Sequence, residues 1–316
     1  MRLFLFVFLC ISLSSCQNEN DKNLENFISK LPSDTSITIN TYEGSNQVVH
    51  PDVQFRNNVL YLAITPYPYY VDSVENPSLY TSIDGINFKD YRKGINPLVK
   101  APPFDHNSDP DILFDKKDNL YLFYLETLRP FSNKVVLLKK TKGEAEFKRK
   151  VVVSFNLKNK EELILSPGVA NNHQLNKYFM YYVEMNKKKF NIQYMVSNQL
   201  TYFNKKKALK AKVKFPDNYS PWHLDVIATN DKYYLLTNGF HGDESNHNYS
   251  LFLAESDDLI NWKNNREILT DKNIPDKNLQ YVYRSSGLIQ GDTLALWYSY
   301  VNKSDEWKLA FKKMKI

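Results

Sequence analysis

Carboxylates and imidazoles recur along this chain at a spacing that would bring them together. Five short segments end in an apolar residue preceded by Asp or Gly: His50-Pro51-Asp52-Val53, Asp109-Pro110-Asp111-Ile112, Ser166-Pro167-Gly168-Val169, His223-Leu224-Asp225-Val226 and Ser285-Ser286-Gly287-Leu288. Their third positions lie 59, 57, 57 and 62 residues apart. Asp52, Asp111 and Asp225 occupy that third column, and Gly168 and Gly287 show that the repeat itself does not demand a carboxylate there. Three acids aimed at one axis read as a ligand-binding ring; the competing reading is a structural Asp that bonds backbone where each strand begins. Clustered carboxylates would keep at least one of their number protonated through like-charge repulsion, as acid–base chemistry requires. The first column holds His50 and His223, equivalent to Asp109, Ser166 and Ser285. Imidazoles there can hydrogen-bond hydroxyl groups, exchange protons near neutral pH, or bind a hard or borderline metal. Trp222, Tyr283 and Arg284 adjoin the fourth and fifth segments, offering aromatic faces and a cationic clamp. His241 lies in a polar insertion, FHGDESNHN, that could form a rim or lid.

The elements that would position these groups are strands. Each segment is followed by a polar turn and an aromatic-rich run, such as Leu120-Tyr121-Leu122-Phe123-Tyr124 or Tyr178-Phe179-Met180-Tyr181-Tyr182. A second motif recurs further on, with an aromatic six positions past its start: Ser82-x-Asp84-Gly85-x-x-Phe88, Ser197-x-x-Leu200-x-x-Phe203 and Ser256-x-Asp258-Leu259-x-x-Trp262, with a degenerate copy from Thr141 to Phe147. Its Ser and Asp side chains suit a tight turn whose backbone amides they can bond, and its aromatic would pack on the neighbouring unit. A repeat of this length with four strands is a propeller blade, so the chain is expected to be an all-β, five-bladed β-propeller over residues 36–316. The chain ends before a fifth turn motif, so the last blade should lack its outer strand. The alternating segment Ser36–Tyr42 is expected to supply it and so remove a sheet edge.

Only 9 glycines are present, and neither GxGxxG nor GxxxxGK[ST] occurs, which argues against phosphate-cradling loops. The 2 cysteines are Cys10 and Cys16, so the folded part has no thiol for disulfides, zinc or nucleophilic chemistry. Leu3 to Ile11 is an apolar run too short to span a bilayer, and it reads as a secretory signal. Leu13-Ser14-Ser15-Cys16 resembles the bacterial lipobox. That resemblance implies a signal peptide over 1–15, acyl chains on Cys16, a tether over 16–35, and a location in the bacterial cell envelope, at the outer membrane, cell surface or periplasm. The formal net charge is +6, with Lys187–Lys189 and Lys205–Lys207 as basic clusters. Solvated sheet edges account for these clusters better than nucleic acid, which is not expected as a partner of an exported chain. A monomer is expected.

Five blades, an inner strand opening on an Asp-Pro type motif, and Ser-x-Asp-Leu-x-x-Trp turns resemble the five-bladed glycoside hydrolases of family 43 and their relatives in families 32, 117 and 130. The resemblance spans residues 36–316 and implies a glycosidase acting on an oligo- or polysaccharide from an axial pocket. It implies a base at Asp52, supporting acids at Asp109 and Asp111, and a Glu as proton donor on blade three. Leu163-Ile164-Leu165-Ser166-Pro167-Gly168 departs from that pattern, since Glu161 and Glu162 come too early. Glu126 and Glu184 end strands that return to the same face and are the candidate replacements. Asp225, His50, Trp222, His223, Tyr283, Arg284 and His241 complete the expected catalytic and substrate-binding set. No cofactor is expected, although an axial calcium occurs in some relatives and is possible here. A non-catalytic glycan-binding propeller is the alternative. A sialidase-like enzyme is disfavoured, because it would need six blades and three arginines.

Overall fold

The computed structural model describes residues 21–157, 162–274 and 278–316. The lipobox and Cys16 lie outside the described residues. Strand β1 (Asp34–Ile37) is set apart from the first blade, which comprises β2 (Val48–Arg56), β3 (Val59–Pro66), β4 (Ser78–Ser82) and β5 (Lys89–Asp90). The second blade is β6 (Asn107–Phe114), β7 (Leu120–Leu128), β8 (Ser132–Lys140) and β9 (Lys148–Asn156). The third is β10 (Glu162–Asn172), β11 (Lys177–Asn186), β12 (Lys189–Ser197) and β13 (Leu209–Lys210), and the fourth is β14 (Tyr219–Ala228), β15 (Tyr233–His241), β16 (Tyr249–Ser256) and β17 (Lys263–Thr270). In the fifth, β18 (Leu279–Gln290), β19 (Thr293–Asn302) and β20 (Trp307–Lys315) are completed by β1, in the order β1-β20-β19-β18.

The closure expected from the sequence is present, with Thr35 opposite Phe311 and Ile37 opposite Leu309. The closing strand begins earlier than the Ser36–Tyr42 pattern suggests. Residues 21–30, expected to be tether, are helical instead. Phe27, Ile28 and Leu31 bury against Trp297, Phe311 and Leu62, so this segment is part of the domain and covers the seam between the first and last blades. A polar stretch dominated by Asn, Asp, Glu and Lys hid the apolar stripe.

Each blade has two covered faces, which is why β7 and β19 read as nearly continuous apolar runs rather than as alternation. Five apolar cores hold the five blades together. The one between blades one and two, for example, joins Ala63 and Leu79 to Leu122 and Tyr124. The turn motif does what its residues suggest. Ser82 Oγ accepts from the amides of Asp84 and Gly85, Asp84 Oδ1 accepts from those of Ile86 and Asn87, and Ser256 and Asp258 repeat the pattern. The turn then docks on the adjacent blade: Trp297 Nε1 donates to the Gly85 carbonyl at 3.0 Å, and the Tyr181 hydroxyl donates to the Leu259 carbonyl. Lys187–Lys189 and Lys205–Lys207 lie in an exposed hairpin and a short 3-10 turn, as expected of solvated edges.

Gly85 is needed twice over. Its φ is +76°, and a Cβ there would come within 2.6 Å of Leu31 Cδ2. Gly44 has φ +83° but open space around it. Gly44→Ala is therefore expected to cost only the left-handed backbone penalty, about 1–2 kcal/mol, and Gly85→Ala clearly more. Urea unfolding of both variants checks this, and equal losses would show that the helix is not seated on the turn.

Candidate active site

Register shifts interrupt every inner strand at its anchor: between Val49 and Asp52, Ser108 and Asp111, Leu165 and Gly168, Pro221 and His223, and Val282 and Ser285. At three of them a non-glycine residue adopts the left-handed conformation, with φ of +57° at His50 and +52° at both Asp109 and Ser166. Bulges re-aim side chains, and such backbone costs roughly 1–3 kcal/mol per residue. Four of the first-column side chains, His50, Asp109, Ser166 and His223, gather at one point as a result, and Arg284 joins them from blade five.

Asp109 is the hub. Its Oδ2 accepts from the Ser166 amide at 3.1 Å, and its Oδ1 accepts from Arg284 Nη1 at 2.9 Å. His223 Nδ1 lies 3.2 Å and His50 Nε2 3.4 Å from the same Oδ1. One carboxylate on blade two thus meets blades one, three, four and five. Burial alone would raise its pKa, but His50, His223 and Arg284 outweigh that and hold it well below the usual carboxylate range. Arg284 is wholly buried and also donates to the Pro110 carbonyl at 3.0 Å.

Both imidazoles are braced from behind. His50 Nδ1 lies 3.0 Å from Glu75 Oε1 and 3.1 Å from Thr65 Oγ1, and Thr65 in turn donates to Glu75. His223 Nε2 sits 2.6 Å from the Tyr283 hydroxyl, which accepts from Trp222 Nε1 at 2.8 Å. Burial lowers the His223 pKa to about 4, so this ring is neutral at pH 7. Ser166 Oγ lies 2.7 Å from His223 Nδ1, the same nitrogen that faces Asp109. A nucleophilic triad needs serine and carboxylate on opposite nitrogens, so Ser166 is not one.

A more exposed charge cluster continues outward from Glu75. His106 Nε2 lies 3.8 Å from Glu75 Oε2 and its Nδ1 lies 2.7 Å from Asp105 Oδ1, while Arg129 ties Asp105 to Asp72. Burial would lower the His106 pKa, yet Glu75, Asp105 and Asp72 together raise it to about 10.

The third column does different work. Asp52 Oδ2 accepts from the Ile112 amide at 2.7 Å and Asp111 Oδ2 from the Val169 amide at 3.2 Å, so each stitches its blade to the next. Ser286 takes part in the same ring, accepting from the Val53 amide and donating to Asp52. Asp52, Asp111 and Asp225 are all buried, and desolvation raises the pKa of each. Their mutual repulsion adds to the rise at Asp52 and Asp111. They share one buried cluster. Asp52 and Asp111 thus each give one oxygen to the backbone of the neighbouring blade, the bond that the structural reading of this column expects, while Asp225 shares their cluster. Gly168 in that column reflects space, since a Cβ would meet Leu224 at 2.9 Å.

Several other expectations change. Glu126 is engaged by Lys134 and Arg149, and Glu184 accepts from Gln193, so both carboxylates are occupied along their own blades rather than at the axis. The strand-end geometry put the backbone in the right place, opposite Asn107 and Ile164, but the side chains follow the outer strands. Arg284 is a buried counter-ion rather than a clamp open to substrate. Trp222 and Tyr283 are half-buried and roof the centre. His241 is exposed and packs edge-on to Tyr219, 5.2 Å between centroids. Glu75 and His106 were not anticipated. They sit in the connection after β3 and just before β6, on the same returning face, and an acid in that long connection was the available signal.

Three donors suited to a divalent ion, His50, Asp109 and His223, converge within 4.8 Å of one another. Surface grooves lie elsewhere on the molecule. One of about 570 Å³ is lined by Glu25, Ile28, Gln290, Lys313 and Lys315, and it lacks such a cluster.

No family model matches this sequence, and no curated protein matches it. Solved structures do. An N-acetylgalactosamine deacetylase from F. plautii, in complex with blood group B trisaccharide, superposes with a TM-score of 0.73 at 17% identity, over 89% of this chain and 92% of that one. This chain has the five-bladed fold of carbohydrate-processing propellers. A thermostable family-43 glycoside hydrolase gives 0.63 at 14% identity over 85% and 90% of the two chains. A Penicillium chrysogenum α-L-arabinanase complexed with arabinobiose gives 0.60 at 11% over 90% and 99%. At these identities the likeness is one of fold, and it matches the resemblance drawn from the repeats.

The His106 shift has a definite pH sign. A histidine whose folded pKa is raised stabilises the protein fully below about 6.5 and loses that contribution as pH rises toward about 10. His106→Gln should flatten the fall in unfolding free energy between those limits relative to the native chain. Parallel urea titrations at pH 6 and 9.5 measure it, and identical slopes would remove the ion cluster from the stability account.

Proposed function

We propose that this chain is a carbohydrate-active hydrolase whose reaction centre is His50, Asp109 and His223 at the axial mouth. The observation that carries the reading is the convergence of an ionised Asp109 with two braced imidazoles at the place where the inner strands of this fold begin. The proposed bond is an acyl one, an amide or ester substituent on a sugar. Water oxygen would bond to the acyl carbon, the C–N or C–O bond would break, and the departing amine or hydroxyl would take up the proton.

Glycosidic cleavage is the second reading, supported by the arabinanase neighbours. It asks for two carboxyl groups about 5–9.5 Å apart with the sugar between them. Glu75 and Asp109 flank His50, whose ring fills the gap, and this favours the acyl bond. A non-catalytic glycan-binding module is the outcome left if neither bond is cut.

Acetate release from N- and O-acetylated sugars, and nitrophenol release from aryl glycosides, tests the choice on the purified chain. Acetate release is expected, with His50→Gln and His223→Gln each lowering it at least about 100-fold while circular dichroism stays native. Undiminished turnover in both variants would place the chemistry elsewhere, and glycan binding without turnover would make the chain a binding module. The lipobox-like segment further supports anchoring at the cell envelope through Cys16. Incorporation of labelled palmitate should vanish in Cys16→Ser, and its persistence would refute the anchor.

A further inference from the structure

We infer that His50 Nε2, Asp109 Oδ1 and His223 Nδ1 form a binding site for one divalent first-row transition ion, zinc foremost. The inference rests on the reaction centre proposed above and names what it holds.

The geometry first. Asp109 Oδ1 lies 3.4 Å from His50 Nε2 and 3.2 Å from His223 Nδ1. Zinc bonds of about 2.0–2.2 Å in tetrahedral array put neighbouring donors roughly 3.3–3.5 Å apart. Both distances match edges of such a tetrahedron, and the three residues offer donor atoms that all lie within 4.8 Å of one another.

The second observation is independent of those distances. His50 is 5% exposed, and its Nε2 is buried without a hydrogen-bond partner. An unpaired buried acceptor facing a carboxylate oxygen is costly unless something lies between them. On its other side, Glu75 Oε1 at 3.0 Å fixes the proton on Nδ1 and turns the Nε2 lone pair toward Asp109. A carboxylate behind a histidine is the usual brace of a metal-ligating imidazole. His223 is braced likewise, through Nε2 and the Tyr283 hydroxyl at 2.6 Å, and Trp222 fixes that hydroxyl in turn.

The donor set of two nitrogens and one oxygen selects borderline ions over calcium or magnesium, which prefer all-oxygen shells. The charge allows it. Asp109 faces the Arg284 guanidinium and Glu75 faces His106, so two carboxylates stand against two cations before the ion enters, and Ser166 Oγ can rotate off His223 Nδ1 to admit it. Three protein ligands leave at least one position for water, the arrangement of hydrolytic rather than structural zinc.

The test uses the purified chain, stripped with dipicolinate and titrated with Zn²⁺, Co²⁺ or Ca²⁺ by calorimetry, with elemental analysis of the reconstituted protein. One zinc per chain is expected, with no calcium uptake at the same concentration and a visible Co²⁺ spectrum of low coordination number. His50→Gln and His223→Gln should each weaken zinc at least 100-fold, Glu75→Gln about 10–100-fold, and His241→Gln not at all. Native far-UV spectra of the variants exclude unfolding. Failure of the native chain to take up zinc, or binding unchanged in both His50→Gln and His223→Gln, overturns the site. Zinc bound without acetate release would overturn the hydrolase reading alone, and acetate release from the fully stripped chain would overturn the metal alone.

Discussion

A single ionised carboxylate holds the centre of this molecule together. Asp109 is buried, and it meets an amide, a guanidinium and two imidazoles that come from the four other blades. Leaving such a charge unpaired would cost several kcal/mol. The blades can therefore close only in the arrangement that delivers all four partners. The aromatic cores between blades supply most of the association energy, but they are broad and slippery surfaces. Asp109 gives them a register.

That constraint divides the axis into two layers with different chemistry. In the lower layer, Asp52 and Asp111 accept amides of the next blade, and burial pushes all three third-column acids toward their neutral forms. In the upper layer, the bulged first-column residues keep a fixed negative charge between imidazoles. Two residues of separation along one strand distinguish a stitch from the proposed reaction centre. The strained φ at His50, Asp109 and Ser166 is the backbone cost of that separation.

The repeat was legible because it is written in spacing, and spacing survives where residue identity drifts. The five anchors, the Ser-Asp turns and the strand borrowed from the N-terminal side all follow from it. The columns were legible too, since Asp109, His50 and His223 were seen to be equivalent. Which column gathers around the buried charge was not legible. That depends on a bulge rotating the strand, and nothing in His50-Pro51-Asp52 says which of the two polar residues turns upward. Glu126 and Glu184 mislead for a related reason: strand direction fixes where a backbone ends but not which neighbour a long side chain reaches. Glu75 and the helix over residues 21–30, docked through Phe27 and Ile28, lie outside the repeat, so periodicity could not find them.

A double-mutant cycle between Asp109 and Arg284 measures the central interaction most directly. Asp109→Asn, Arg284→Met and the double variant would be unfolded in urea at neutral pH. Each single change should strand a buried charge and cost about 3–5 kcal/mol, whereas the double variant should lose far less than their sum, giving a coupling of at least about 2 kcal/mol. A coupling within about 0.5 kcal/mol of zero would mean that the two residues act independently, and that the blades find their places without the carboxylate at the hub.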